Sequence, residues 1–356
     1  MADSRYREVY EVAETDPESF WLDAARAIDW DAPPTRAFDP EAGVYGRWFP
    51  DAVGNTCHNC IDRHVAAGRG EQAAILYDSP VAGTQRRIGY RELLGEVETF
   101  AGLLRELGVA KGERVLLYMP MVPEALVAMQ ACARLGAVHS VVFGGFSARE
   151  LAARIDDAEP VLVLAASCGL EPNRTVAYKP LLDEALALAR HAPSAGCLVL
   201  QRPQLAAELR PGRDRDWSEA VADAKARGLT AACVPVAATD PLYILYTSGT
   251  TGRPKGIVRD TGGHMVALAW SVPNLYGIRP GEVFWTASDI GWVVGHSYCV
   301  YAPLLTGATT VIYEGKPVGT VCFSVALADG STRTVDTPFL GNGYVHEVIE
   351  AQRCFQ

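Results

Sequence analysis

From about residue 71, short apolar runs alternate with stretches in which apolar residues recur at helical spacing. Residues 114–118 predict a buried strand, residues 124–135 a helix that ends at Gly136, and residues 138–143 the next strand. Apolar strands separated by helices of about a dozen residues predict a parallel sheet with helices on both faces. We therefore expect an α/β fold with a doubly wound parallel sheet, which binds ligands beyond the carboxyl ends of its strands.

The same patterns predict the remaining elements and the domain boundaries. We expect a domain at residues 71–319, after an N-terminal region, residues 1–70, that is rich in tryptophan and proline. Further strands are predicted at 73–77, 85–88, 160–165, 197–200 and 242–246, and further helices at 16–27, 53–67, 90–107, 148–158 and 181–190, with an irregular segment at 29–50.

Composition narrows the class of protein. The 356 residues have room for two or three domains, and 49% hydrophobic residues is ordinary for a globular protein. The net charge of −10 argues against nucleic acid as a partner, because nonspecific binding needs a basic face. No apolar run approaches the roughly 20 residues of a membrane helix, and the N-terminus lacks a signal-peptide pattern. Nine scattered cysteines fit buried reduced thiols, so we expect a cytoplasmic protein without a membrane partner.

A loop rich in glycine and hydroxyl groups follows one predicted strand. Residues 246–256 read Tyr-Thr-Ser-Gly-Thr-Thr-Gly-Arg-Pro-Lys-Gly. Glycines let backbone N–H groups turn toward an anion, hydroxyls donate hydrogen bonds, and the lysine adds a positive charge. The loop is not a Walker A motif. The alternative interpretation is a surface turn that binds no ligand. We predict that it binds a polyphosphate through Thr247, Ser248, Gly249, Thr250, Thr251, Gly252 and Lys255.

A second candidate site lies about thirty residues further along the chain. Trp292, Val293, Val294, Gly295 and His296 combine bulk, a smooth apolar wall and one hydrogen-bonding ring, which suits the floor of a ligand pocket. For Trp292 and His296, burial in the core is an equally good interpretation.

Three segments together resemble the adenylate-forming enzymes, and among them the short-chain acyl-CoA synthetases. They are residues 247–256, Gly-Trp-Val-Val-Gly-His-Ser-Tyr at 291–298, and Val-His-Ser-Val-Val-Phe-Gly-Gly-Phe at 138–146. Residues 171–185 and 256–264 are most similar to the propionyl-CoA synthetases. The resemblance covers residues 4–319 almost continuously.

This resemblance implies a two-step reaction with ATP, Mg²⁺ and CoA. A carboxylate attacks the α-phosphorus of ATP to give acyl-adenylate and pyrophosphate, and the CoA thiol then displaces AMP. Thr247 to Thr251 would hold the β- and γ-phosphates, and Lys255 would neutralise them together with Mg²⁺. Trp292, Val293 and Val294 would line the acyl pocket. CoA would contact Phe143, Gly144, Gly145 and Arg174.

Two departures from the family affect the choice of ligands. Glu171 stands where the family has an arginine that contacts CoA, which leaves Arg174 and Lys179 as candidate cations. Val294 stands where acetyl-CoA synthetases have a threonine, which mildly favours propionate over acetate. The two acids differ by one methylene, worth about 0.8 kcal/mol of burial, so both stay open.

Cys57, Cys60 and His64 have a spacing that suggests zinc. A structural zinc site needs four ligands, usually from two Cys-x-x-Cys pairs, and only one such pair is present. We therefore interpret this segment as the packed start of a helix and predict no metal site.

The resemblance stops near Thr320, and residues 320–356 follow a different pattern. Residues 322–335 predict a hairpin with a turn at Asp329-Gly330, followed by a helix at 344–354. This tail faintly resembles the C-terminal part of the Gfo/Idh/MocA oxidoreductases, although no G-x-G-x-x-G motif opens a βαβ unit here.

The family's second nucleotide motif and its small C-terminal domain with a catalytic lysine are missing from this sequence. We therefore expect that the chain alone does not complete acyl-CoA synthesis. The alternative is a noncatalytic fragment that binds a nucleotide or an acyl group.

Overall fold

A computed structural model describes residues 6–247, 254–315, 321–326 and 332–337. Its centre is a seven-stranded sheet, called the large sheet below. Six strands run parallel, and the last strand pairs antiparallel at one edge. In order across the sheet they are Asp214–Asp216, Cys197–Leu200, Leu162–Ala166, Arg114–Tyr118, Val138–Val141, Pro241–Thr247 and Lys255–Asp260. The predicted α/β fold with a parallel sheet is confirmed.

Successive residues of a central strand point to opposite faces of the large sheet, as the two-residue period of a strand requires. Val115 and Leu117 belong to one hydrophobic core, whereas Leu116 and Tyr118 belong to another. Helices Tyr90–Glu106 and Pro123–Leu135 contribute to the first core, and helices Ala148–Ala158 and Tyr178–Leu188 contribute to the second. Both faces are therefore covered, which explains why the strands of this sheet are apolar throughout.

A second, four-stranded sheet, called the small sheet below, has the strand order Val283–Trp285, Thr309–Tyr313, Ala73–Ser79 and Thr84–Gly89. Its last two strands, which the sequence predicts at 73–77 and 85–88, pair antiparallel as a hairpin. A buried ion pair joins the two sheets, because Arg202 follows a strand of the large sheet and Glu314 follows a strand of the small one. Arg202 Nη2 lies 2.8 Å from Glu314 Oε2, which also accepts hydrogen bonds from Tyr77 and Ser79.

The remaining strands are short. Trp30–Ala32, Val53–Gly54 and Val236–Ala237 form a three-stranded sheet. Three further antiparallel pairs join Phe38–Asp39 to Arg47–Trp48, Cys168–Glu171 to Arg174–Ala177, and Val321–Ala326 to Thr332–Thr337. The predicted turn at Asp329-Gly330 and the predicted helix at 344–354 lie outside the described residues.

Other helices are Tyr6–Thr15, Pro17–Ala25, Trp217–Ala226, Thr261–Ser271, Val293–Gly295 and Ala302–Thr306, and wider helical turns occupy His58–Asp62, Val65–Arg69, Val272–Tyr276 and His296–Tyr301. The Asp16 side chain caps the second helix by accepting the Ser19 N–H at 3.0 Å.

The predicted helix at 53–67 begins later than expected. Residues Val53–Gly54 form a strand instead, paired with strands on either side.

Candidate ligand-binding site

The two ends of the glycine- and threonine-rich loop come together at one edge of the large sheet. Thr247 ends one strand, Lys255 begins the next, and the two are partners in the antiparallel pair. Both residues are exposed. The other predicted phosphate-binding residues, Ser248, Gly249, Thr250, Thr251 and Gly252, lie outside the described residues. The structure therefore presents a hydroxyl and an ammonium group side by side at the base of this loop.

Tyr246 fastens the base of the loop to the helix Ala148–Ala158. Its hydroxyl donates a hydrogen bond to Asp157 Oδ2 at 2.6 Å. Burial, and then this bond to Asp157, raise the pKa of Tyr246. The Arg154 guanidinium lies 5.5 Å from the Tyr246 ring and 4.6 Å from the ring of Phe146. Arg154 thus contacts both Tyr246 and the second glycine loop, residues 143–146.

The loop 143–146 is held from below by two tyrosines. The Tyr118 hydroxyl lies within hydrogen-bonding distance of the carbonyl oxygens of Gly144, at 3.3 Å, and Phe146, at 3.1 Å. The Tyr178 hydroxyl fills the space that a Cβ atom would need at Gly144 and also at Gly169. Gly144 therefore has to be glycine for a packing reason, because any side chain there overlaps Tyr178.

Trp292 connects the second predicted segment to this loop. The centre of its indole ring lies 5.8 Å from the centre of the Phe143 ring and 6.4 Å from the centre of the Phe146 ring. Trp292, Val293 and Val294 are 49%, 47% and 46% exposed. Three adjacent large apolar side chains at the surface form a patch that an apolar group can cover. The structure therefore brings Trp292 together with Phe143.

Gly295 and His296 lie behind this apolar patch. A Cβ atom at Gly295 would overlap the Asp289 carbonyl oxygen, so only glycine fits. The His296 ring is fully buried and stacks on the His139 ring, with their centres 5.6 Å apart. Its Nε2 atom has no hydrogen-bond partner. For His296 the structure thus matches the core interpretation that the sequence left open.

His296 belongs to a buried cluster of three histidines and two tyrosines. His139 and His264 complete the histidines, and Tyr243 and Tyr301 pack against them. Burial lowers the pKa of His296 to about 4 and that of His264 to about 3, and it lowers the pKa of His139 as well. All three rings are therefore neutral near pH 7, as apolar surroundings require.

Arg174, the predicted phosphate contact for CoA, is already paired. Its Nε and Nη2 atoms lie 2.9 Å and 3.4 Å from the carboxylate of Glu171, its partner across the short hairpin. The bond to Glu171 raises the pKa of Arg174. Lys179 is buried and lies 2.7 Å from Asp183 and 2.9 Å from Asp214, so the sequence-based suggestion of Lys179 as a free cation is wrong.

The residues of the suggested zinc site are engaged elsewhere. His64 Nε2 lies 2.7 Å from the Leu304 carbonyl oxygen, and its Nδ1 lies 2.6 Å from Arg69. Both ring nitrogens are therefore occupied. Cys57 and Cys60 are buried in a helical segment.

Residues 62–331 match the AMP-binding enzyme family, and residues 6–60 match the N-terminus of acetyl-coenzyme A synthetase. The chain belongs to the AMP-binding enzyme family. The predicted resemblance to short-chain acyl-CoA synthetases is confirmed by individual relatives of the chain.

An uncharacterized protein of Pseudomonas aeruginosa is 57% identical over 86% of this chain and 48% of its own length. The human acyl-CoA synthetase short-chain family member 3, mitochondrial, is 50% identical over 89% of this chain and 46% of its own length. Propionate–CoA ligase of Escherichia coli is 46% identical over 89% of this chain and 50% of its own length. The chain thus spans about half the length of these curated relatives.

The sequence analysis did not identify three residues that contribute to this site. Tyr118 and Tyr178 support the glycine loop, and Asp289 precedes the apolar patch. Burial raises the pKa of Asp289 to about 6, although Oδ1 accepts the Gly291 N–H at 2.7 Å. The position of Tyr118 at the carboxyl end of a predicted parallel strand was a usable signal. Tyr178 acts through contacts that no local pattern encodes, whereas the contact of Asp289 with Gly291 is local.

Among the helices of the described residues, none is long and apolar enough to cross a membrane.

Proposed function

We propose that this chain takes part in the ATP-dependent activation of a short-chain carboxylate, propionate in preference to acetate, and its transfer to CoA. The contact between Trp292 and Phe143 supports this proposal most, because their rings lie 5.8 Å apart. Trp292 would contact the acyl group, and Phe143 belongs to the loop that would contact CoA. A thiol has to reach the acyl carbon in the second step, so the two binding surfaces have to adjoin.

The first step joins two anions, so it depends on charge screening and alignment more than on covalent help. The carboxylate oxygen attacks the α-phosphorus, and pyrophosphate leaves. Lys255 would bind the departing phosphates, and Thr247 would donate a hydrogen bond to them. Mg²⁺ would supply further positive charge when bound. Phosphate binding by the loop stays a prediction, because Ser248, Thr250 and Thr251 lie outside the described residues.

The acyl group would cover Trp292, Val293 and Val294, which are each close to half exposed. One additional methylene buried on this patch contributes about 0.8 kcal/mol, which corresponds to about a fourfold preference for propionate over acetate. Val294 offers a fully apolar side chain to that methylene.

A titration calorimetry experiment with sulfamoyl analogues of propionyl- and acetyl-adenylate tests the proposal. We expect the chain to bind both analogues, with the propionyl form about fourfold tighter. Trp292→Ala removes a large aromatic contact and should weaken binding about tenfold or more. Leu275→Ala, which truncates a side chain that is 63% exposed, is the matched control and should bind as the unmodified chain does. Equal binding by the Trp292→Ala variant would refute the acyl surface.

A parallel turnover assay for pyrophosphate release separates the proposal from its alternative, a noncatalytic binding fragment. Binding of the analogues without pyrophosphate release from ATP and propionate would support the noncatalytic binding fragment.

A location in the cytoplasm stays a prediction, and the human relative is named as mitochondrial.

A further inference from the structure

Two thiols from distant parts of the chain meet at the C-terminal end of helix Pro123–Leu135. The Sγ atoms of Cys57 and Cys233 and a carboxylate oxygen of Asp62 all lie within 4.8 Å of one another. Cys57 is buried and directly precedes the helical turn His58–Asp62. Cys233 is half-buried and precedes the short strand Val236–Ala237. Both cysteines are free thiols.

The backbone near both cysteines is held by one shared anchor. The Asn55 side-chain nitrogen donates to the carbonyl oxygens of Arg134, at 3.1 Å, and Val234, at 2.9 Å. The Val234 N–H also donates to the Arg134 carbonyl oxygen at 2.8 Å. Asn55 lies two residues before Cys57, and Val234 directly follows Cys233. The two thiols are therefore neighbours because the backbone segments that carry them are joined by these hydrogen bonds.

A guanidinium group already occupies the place that a metal ion would take in this cluster. Arg134 Nη1 lies 2.8 Å and 3.0 Å from the two oxygens of Asp62 and 3.6 Å from Cys57 Sγ. Arg134 is buried, with 2% of its surface exposed. Since the carboxylate is bound on both oxygens by a positive charge, a cation would have to displace Arg134. The cluster is better suited to thiol chemistry. Burial raises the pKa of the Cys57 thiol, and the Arg134 charge only partly opposes this rise, so the more exposed Cys233 is the thiol that reacts first.

We propose that Cys57 and Cys233 are a redox-active pair that closes to a disulfide on reaction with a low-molecular-weight disulfide. Cys233, the more exposed residue, attacks one sulfur of the oxidant as a thiolate, and the first small thiol leaves. Cys57 then attacks the Cys233 sulfur of the mixed disulfide, and the second small thiol leaves. The two protons of the cysteines end on the two small thiols, so the pair loses two electrons and the oxidant gains them.

Closure ties together two parts of the AMP-binding enzyme. Cys57 lies in the region that matches the acetyl-coenzyme A synthetase N-terminus, and Cys233 lies in the region that matches the AMP-binding enzyme family. The bond would close a long loop of chain, and long loops gain most from a crosslink in the chain-entropy model. This inference does not depend on the proposed ligase activity.

Oxidised glutathione is the probe for a direct test on the full chain under native conditions. After incubation, free thiols are blocked with N-ethylmaleimide, and proteolytic peptides are identified by mass spectrometry. We expect a peptide pair linked through Cys57 and Cys233, loss of two blockable thiols, reversal by dithiothreitol, and a higher melting temperature of the oxidised chain. Cys233→Ser and Cys57→Ala should each abolish the link.

Cys60→Ala is the matched control, because Cys60 is also buried and lies in the same helical segment. This variant should form the linked peptide as the unmodified chain does. Circular dichroism verifies that each variant is folded, and Cys233→Ser changes only a half-buried side chain. A glutathione adduct that stays on Cys233, a link to another cysteine, or unreacted thiols at every glutathione ratio would overturn the proposal. Stoichiometric zinc binding that is lost in Cys233→Ser would also overturn it.

Discussion

Thr247 and Lys255 are partners across the antiparallel strands at the edge of the large sheet. Their side chains leave the sheet at its exposed end, where the chain enters and leaves the glycine-rich loop. A hydroxyl and an ammonium group in register would form the fixed part of the predicted phosphate-binding surface, because their spacing is set by the backbone pairing.

Replacement of Lys255 by alanine should weaken ATP binding about tenfold or more. A hydrogen bond from a charged group is worth about 1.5–3 kcal/mol, and Lys255 would make such bonds to the phosphates. Titration calorimetry with ATP measures the change. Lys225→Ala, which removes an exposed lysine of helix Trp217–Ala226, should leave the affinity unchanged. Equal affinities for both variants would exclude Lys255 from the phosphate site.

Replacement of Glu171 by glutamine should strengthen CoA binding up to about fivefold. The Glu171 carboxylate holds the Arg174 guanidinium at 2.9 Å, so a phosphate has to compete with it. Arg174 is 70% exposed, and solvent screens an exposed pair of this kind, so the competition from Glu171 is weak. Fluorescence or calorimetric titration with CoA provides the measurement. The exposed Glu208→Gln serves as control, and a Glu171→Gln variant with unchanged affinity would mean that Arg174 does not meet CoA.

Gly144→Ala should destabilise the fold by about 1–3 kcal/mol, because the new methyl group overlaps the Tyr178 hydroxyl. Urea unfolding monitored by circular dichroism gives the free energy. Gly95→Ala is a sharp control, since Gly95 lies in helix Tyr90–Glu106 and its Cβ would meet no atom within 4 Å. It should stabilise the chain by about 0.5–1 kcal/mol. Equal stability of both variants would contradict the conclusion that the Tyr178 hydroxyl leaves no space for a side chain at residue 144.

Acid should destabilise the chain through its buried histidines. His296 and His264 have lowered pKa values, about 4 and about 3, compared with 6.5 in the unfolded chain. Such a group stabilises the fold above pH 6.5, and this contribution is lost as the pH falls toward the folded pKa. At pH 5 the loss for His296 is about 2 kcal/mol. The raised pKa of Asp289 has the opposite sign, because it makes the fold more stable as the pH falls through about 6.

The variant His296→Phe isolates this effect. Its loss of unfolding free energy between pH 7 and pH 5 should be about 2 kcal/mol smaller than that of the unmodified chain, since Asp289 contributes equally to both. His58→Gln, which changes a partly exposed histidine, is the control for the substitution of a histidine. Urea unfolding at the two pH values provides the measurement, and equal pH dependence in His296→Phe would contradict the assignment.

Local signals in the sequence were sufficient for much of the large sheet. Strands Arg114–Tyr118 and Cys197–Leu200 lie where short apolar runs predict them, because a strand buried on both faces needs apolar residues throughout. Helix Ala148–Ala158 is also as predicted, with Ser147 accepting the Glu150 N–H as its cap. These elements depend on neighbours within a few residues.

The candidate site depends on distant contacts, and there the sequence alone was insufficient. Burial of His296 follows from stacking on His139, and neutralisation of Lys179 involves Asp214. The pairing of Arg174 with Glu171 joins residues only three apart, but it depends on a short hairpin that the sequence analysis did not predict. Residue types predicted which groups suit the chemistry, whereas their exposure and partners were set by packing.

The buried pair of Arg202 and Glu314 has a mechanical consequence. Removing either partner would leave the other charge uncompensated in the protein interior, at a cost of about 3–5 kcal/mol. Any sliding of one sheet against the other at this point has to break the contact, so the pair opposes relative movement of the two strand ends that carry Arg202 and Glu314.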